Sequence, residues 1–263
     1  MIITSNIPTP DVTPTAPSGT LLAAAIDVEW SKNYRVRGGN VPFCYSVVWL
    51  ALSREDVRPG SFGFWYTSAY VHDTGETGDL VASADGALLR TLECASLIAG
   101  HQLSSDLAVL AAAGHVPLLG VTAAQVAWQR RGQLLPGGPR LLDTRYDTGH
   151  VLQHASRRLV DVCAELRLDV TQPELRGTSM TALHRRWLER EDTSAREKIT
   201  VLNLRHALST ALVAAYVAGL ASWPPTTASR GSTSPPLRNL PGTARSSRKS
   251  SSTAKARSTW RPR

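Results

Sequence analysis

The stretch Leu21-Leu22-Ala23-Ala24-Ala25-Ile26-Asp27-Val28-Glu29-Trp30 decides how the rest of this 263-residue chain is read. It is a short apolar run that ends by presenting two acids one residue apart. Side chains alternate faces along a strand, so Asp27 and Glu29 leave the same side, roughly 7 Å apart at their Cα atoms. Two carboxylates on one rigid face at the end of a buried strand form a cradle for a hard divalent cation such as Mg²⁺. The same pair also suits the plain end of a strand at the surface, because Asp-x-Glu alone is a weak motif. The choice depends on the rest of the chain.

Outward from this strand, residues 1–20 carry Pro8, Pro10, Pro14 and Pro17 among Thr and Ser, which predicts a disordered leader. On the other side, Ser31 to Asn40 reads as a loop. Phe43–Leu52 and Ser61–His72 are rich in aromatic and β-branched residues and read as two more strands, joined with the first in an antiparallel meander. Then the period changes. Ala84–Cys94, Leu103–Ala113, Thr122–Arg131, Arg157–Leu166, Thr178–Arg190 and Ala195–Leu220 have helical spacing, with short strands at Ala95–Gly100 and Arg140–Thr144. Three strands and then alternating helices and strands predict an α/β domain over residues 21–221, a mixed sheet flanked by helices.

After Trp223-Pro224-Pro225, Ser, Thr, Pro, Gly, Arg and Lys take over, so residues 222–263 read as a disordered basic tail. The net charge of +8 belongs to that tail: nine of the 29 Lys/Arg and none of the 21 Asp/Glu lie beyond residue 222. A tail of this kind raises affinity for any polyanion without sequence preference. Cys44, Cys94 and Cys163 are odd in number, far apart and without metal-ligand spacing, which fits buried thiols of a reducing compartment. The apolar run at Leu21 is too short for a membrane span and no secretory pattern precedes it. The expectation is a soluble, cytoplasmic protein.

The second informative stretch is Leu97-Ile98-Ala99-Gly100-His101-Gln102-Leu103-Ser104-Ser105-Asp106-Leu107. A buried strand runs into Gly-His-Gln, turns, and places Asp106 in the first turn of a helix. With it, the chain resembles the DEDD superfamily of 3′–5′ exonucleases. That family's first motif, Asp-x-Glu ending the first strand, is matched by Asp27 and Glu29. Its second, Gly-His-Asn with an Asp four residues on, is matched by Gly100, His101, Gln102 and Asp106, with Gln in place of Asn. Asp143-Thr144 and the Leu159–Leu166 helix also fall in family order. The resemblance covers roughly Ala23 to Gly219.

The third motif departs from the pattern. The family has His-x4-Asp or Tyr-x3-Asp on a helix, commonly with Ala-x-x-Thr-Ala after it. Aligned on Ala207-x-x-Thr210-Ala211, His206 stands where the last metal-binding Asp belongs, and one carboxylate is missing. His206 then reads as a substitute ligand, a general base, a sign of lost catalysis, or a helix histidine satisfied by a neighbour.

The resemblance implies a ribonuclease H-like fold and a two-metal site for Mg²⁺ or Mn²⁺ on Asp27, Glu29 and Asp106, with His206 as a fourth catalytic group. It implies hydrolysis of DNA or RNA from a single-stranded 3′ end. Trp30, Ser31, His101 and Gln102 are the expected substrate contacts, though core packing suits Trp30 and a turn hydrogen bond suits His101 equally. His184-Arg185-Arg186-Trp187 offers a basic helix face for a phosphate backbone or for plain solvation. The alternative function is a catalytically silent relative that binds nucleic acid or a protein partner.

Overall fold

The computed structural model describes residues 1–7, 12–32, 39–53, 63–132, 139–153, 155–168, 170, 175 and 178–221. The basic tail lies outside them, as do most of the Ser31 to Asn40 loop and the first two residues of the expected third strand.

Among the described residues, six strands form one sheet in the order β1-β4-β3-β2-β5-β6. Its centre is β2 (Thr20–Lys32), flanked by β3 (Asn40–Ser53) and β5 (Leu97–Gly100), with β4 (Gly63–Tyr70) beyond β3 and β6 (Arg140–Asp143) beyond β5. The β2–β3 and β3–β4 pairings are antiparallel, so the expected meander is present. The β2–β5 and β5–β6 pairings are parallel, which makes the sheet mixed.

The strip Leu22–Val28 is apolar except for Asp27 because both faces of β2 are covered. Leu22, Ala24, Ile26 and Val28 join one core with residues of α1 (Thr77–Cys94), α2 (Leu103–Ala113) and α3 (Leu119–Gln129). Ala23 and Ala25 join a second core with α4 (Leu159–Glu165) and the C-terminal half of α6 (Thr193–Val217). The helix before α6, α5 (Met180–Arg190), packs on the first core through Leu183 and Trp187. A large apolar side chain removed from water in this way contributes ~1.5–3 kcal/mol, so the two-sided burial of β2 fixes its register firmly. Asp27 and Glu29 continue the Ala23/Ala25 face, and α6 is therefore the helix they meet.

The N-terminal segment corrects the expectation of a disordered leader. Ile2–Ser5 form β1, antiparallel to β4. Asn6 extends the pairing, its side-chain amide donating to the Phe64 carbonyl at 2.9 Å and its oxygen accepting from Tyr66 N–H at 2.8 Å. Ile7 is buried in the first core, and the Met1 amine pairs with Glu76. A β4 edge that would otherwise present unpaired backbone groups is thereby covered.

Candidate metal centre

Glu29 and Asp27 sit where β2 outruns its parallel neighbour: the β2–β5 ladder ends at Ala25↔Ala99, while β2 continues to Lys32. Their backbones are held from the other side by β3, Asp27 opposite Ser46 and Glu29 opposite Cys44. A register shift between Glu29 and Trp30 marks the end of the regular ladder.

Asp106 arrives from the turn after β5. Gly100 makes this turn possible, since a Cβ there would lie 2.7 Å from the Leu103 Cβ. Gln102 comes next in the left-handed region at φ 70°, a conformation that Asn tolerates better than Gln. Asp143 at the end of β6 then holds the start of α2. Its Oδ2 accepts from Leu103 N–H at 2.9 Å, and its Oδ1 accepts from Gln102 N–H at 3.1 Å and Arg145 N–H at 2.8 Å. Both oxygens are thus committed to the backbone. The outcome is that Asp106 projects from the first turn of α2 with 3% of its surface exposed, its Oδ2 buried and without a hydrogen-bond partner among the described residues.

From the third direction α6 brings His206. Its Nδ1 lies 3.6 Å from Asp27 Oδ2 and 3.8 Å from Glu29 Oε1. One turn earlier on the same helix stands a residue that sequence reasoning missed. Asn203 is fully buried; its Nδ2 donates to Asp27 Oδ2 at 2.7 Å and to the Asp27 carbonyl at 3.1 Å. Its Oδ1 accepts from Cys44 Sγ at 3.6 Å. Asn203 therefore fixes the Asp27 carboxylate. The available signal was an amide three residues before His206 in a helix otherwise apolar on that side.

The electrostatics of the site come from burial and crowding. Burial, with the Asp27 charge added and His206 opposing, pushes the Glu29 carboxyl up to about 7. Asp106 is raised well above the carboxylate range by burial and by Asp27, Glu29 and Asp143. For His206, burial works against the charged form, but the Asp27 contact and the Asp27 and Glu29 charges outweigh it and hold the imidazole above its usual value. His206 faces the two acids of β2, Asp27 and Glu29. Oxygen donors of Asp27 and Glu29 and a nitrogen of His206 lie within 4.8 Å of one another and could hold a metal ion. This donor set fits a divalent cation; Asp106, whose buried Oδ2 has no hydrogen-bond partner among the described residues, is not one of the three.

The remaining expected contacts fall differently. His101 stands beside the cluster but is occupied: its Nδ1 lies 3.0 Å from Thr144 Oγ1, and burial lowers it to about 4, so it is neutral. Gln102 serves through its backbone, donating to Asp143 and accepting from Ser105 N–H at 2.8 Å. Trp30 is not brought into the site; it continues the Ile26/Val28 face and packs on the first core, opposite the acids. Ser31 lines a separate cavity of about 370 Å³ with Lys32, Phe43 and Arg185. His184 is no phosphate contact: it is buried, stacked on Phe43 at 4.0 Å, with Nδ1 2.9 Å from the Tyr70 hydroxyl.

Compared with protein-family models and with curated proteins, the chain matches none. Among the described residues, no helix is long and apolar enough to cross a membrane.

Proposed function

We propose that this protein is a divalent-metal-dependent 3′–5′ exonuclease of the DEDD type, built on a ribonuclease H-like sheet and acting on single-stranded ends of DNA or RNA. The observation that carries the reading is the convergence of Asp27, Glu29, Asp106 and His206 beside the central strand, one buried acid, two half-buried acids and a histidine drawn from three separate elements. The mixed sheet with the Asp-x-Glu strand at its centre and helices on both faces agrees with the architecture that the resemblance implies.

Asp27, Glu29 and His206 would hold the cation, and a second one would require Asp106. A bound cation supplies a water of lowered pKa and neutralises charge on the phosphate. Asn203 keeps the Asp27 carboxylate aimed, and Asp143 keeps Asp106 in place by holding the start of α2. With a nitrogen ligand in the set, Mn²⁺ is favoured over Mg²⁺. Hydrolysis adds a water oxygen to phosphorus and breaks its bond to the 3′ oxygen of the preceding nucleotide, which takes up a proton as a 5′-nucleotide leaves.

A second reading has its own support. Where the family places a fourth acid, α6 offers His206 and Asn203, and among the described residues no other carboxylate stands beside Asp27 from that helix. That departure favours a silent relative that binds nucleic acid or a protein partner without cutting. The deciding experiment is release of mononucleotides from a 3′-labelled single strand, with Mg²⁺ and with Mn²⁺, against the Asp27→Ala/Glu29→Ala double variant. Metal-dependent release absent from the variant is the expected result. Equal release from both proteins leaves only the binding reading.

A further inference from the structure

The strands β2, β5 and β6 run parallel, with Ala25 of β2 level with Ala99 of β5 and Leu142 of β6. The acids follow Ala25 where β2 outruns β5, and the chain leaves β6 through Thr144-Arg145-Tyr146. Two strand spacings, about 10 Å, separate β2 from β6 at that level. Tyr146 is 47% exposed, an unusual position for a large ring beside a buried site. The Arg145 guanidinium carbon lies 5.8 Å from its ring centre and that of Arg157 lies 5.9 Å away. Arg145 Nη1 also donates to the Arg157 carbonyl at 3.4 Å, which ties the two segments together. His101, bonded to Thr144 and sensing the charges of both Asp27 and Arg145, stands between this group and the acids.

The same character continues along the outer edge of β6. An open cavity of about 800 Å³ is lined by Arg131, Arg140, Tyr146 and His150. Asp147 is the one acid in that lining among the described residues, and it is paired with Arg131 at 3.4 Å. Arg131 in turn lies 3.7 Å over the Trp128 ring. Guanidiniums interleaved with an exposed aromatic are the chemistry that holds single-stranded nucleic acid, through phosphate contacts and base stacking. A duplex would offer Tyr146 no free base face.

We propose that Arg145, Tyr146 and Arg157 form the track for the nucleotides just upstream of the 3′ end, Tyr146 stacking on one base and the two arginines holding the flanking phosphates. The track rests on the exonuclease reading for its direction, and its geometry stands apart from the acids. Because Tyr146 is an exposed ring in a turn, its substitution is not expected to unfold the protein, and Tyr146→Phe retains the ring as a control.

The test uses the full chain in EDTA, so that nothing is cut. Single-stranded DNA oligonucleotides carry 2-aminopurine at each of the last five positions in turn. Quenching on binding is expected at an internal position near the 3′ end, lost in Tyr146→Ala and kept in Tyr146→Phe. Affinity should fall roughly 5- to 150-fold in Tyr146→Ala, the range of one lost base–aromatic stack. Arg157→Ala should reduce the slope of log affinity against log salt by about 0.7, one phosphate contact on a single strand. Quenching and affinity unchanged in Tyr146→Ala would overturn the track. Position-specific quenching together with no metal-dependent release supports the track while removing the exonuclease reading.

Discussion

Replacing Asp106 by Asn should make the metal-free protein more stable and at the same time remove its response to metal. Asp106 Oδ2 is buried without a partner among the described residues, and the charges of Asp27, Glu29 and Asp143 all act against it. A buried acceptor left unsatisfied costs ~1–3 kcal/mol, and an amide N–H donated to a charged neighbour returns ~1.5–3 kcal/mol. A net gain of about 2 kcal/mol is the middle of that range. For a domain of this size each kcal/mol moves Tm by about 2–4 °C, so Asp106→Asn should melt ~4–8 °C higher in EDTA. The wild type should recover the deficit on binding: at a hundred times Kd, a ligand of the folded state adds about 2.7 kcal/mol. Differential scanning fluorimetry in EDTA, Mg²⁺ and Mn²⁺ reads both halves. A variant that melts lower in EDTA yet keeps the full Mn²⁺ shift would refute the reasoning, because Asp106 would then be a structural residue outside the centre.

His206→Asp restores a fourth acid, so the Tm shift and any nuclease rate should move toward Mg²⁺; a destabilised, metal-indifferent variant would leave His206 as a packing residue. Asn203→Ala frees the Asp27 carboxylate and should cost ~1–3 kcal/mol of stability in a urea melt, with metal affinity down roughly 10–100-fold by titration; unchanged affinity would count against its positioning role. Gln102→Asn relieves the strain at φ 70° and should add about 1 kcal/mol, seen as a higher Tm with the metal response intact; a lower Tm would show that the Gln102 side chain is needed. Burial holds His184 down to about 4, whereas an unfolded histidine titrates near 6.5. The unfolded chain therefore binds the extra proton between those values, and stability present above pH 6.5 is lost as pH falls toward 4, by on the order of 3 kcal/mol. His184→Phe should flatten that part of the stability–pH curve measured by urea melts at pH 7 and pH 4.5; an unchanged slope would assign it elsewhere.

Much of the fold was legible because a few residue types had no other use. An apolar run long enough for a strand, broken only by acids at its end, requires cover on both faces, and β2 has it. Gly100 was readable as a turn because the step from β5 into α2 leaves no room for a Cβ. The Ala207-x-x-Thr210-Ala211 alignment drew attention to α6, and His206 of that helix lies beside Asp27 and Glu29. Strand alternation supports core packing for Trp30: one residue past Glu29, it belongs to the opposite face and packs on the first core. β1 was hidden for a different reason. Four residues, Ile2–Ser5, carry little pattern of their own, and the prolines after them dominate the composition of the segment. What makes them a strand is the open edge of β4, a tertiary fact. Asn203 escaped because a single amide in a helix has no motif; only the position of Asp27 gives it a purpose.

The site itself bears on the choice between an active and a silent protein. A fold gains nothing from a buried acid set beside two half-buried ones. Glu29 titrates near neutrality only because burial and Asp27 resist its charge, and Asp106 carries an oxygen that no described residue satisfies. Apolar or amide replacements at either position would lower that cost. Asn203 goes further, committing a fully buried amide to hold Asp27 in one orientation, which a residue with no ligand to meet does not require. Strain concentrated at one point and supported from behind by Asn203 and Asp143 is the pattern of a site prepared for a ligand that supplies positive charge. His206 stands against both acids of β2, and a divalent cation would supply the positive charge the site calls for. Cutting requires in addition that the His206 imidazole serve the cation, the step that His206→Asp bypasses and that comparison of the two proteins in Mg²⁺ and Mn²⁺ isolates.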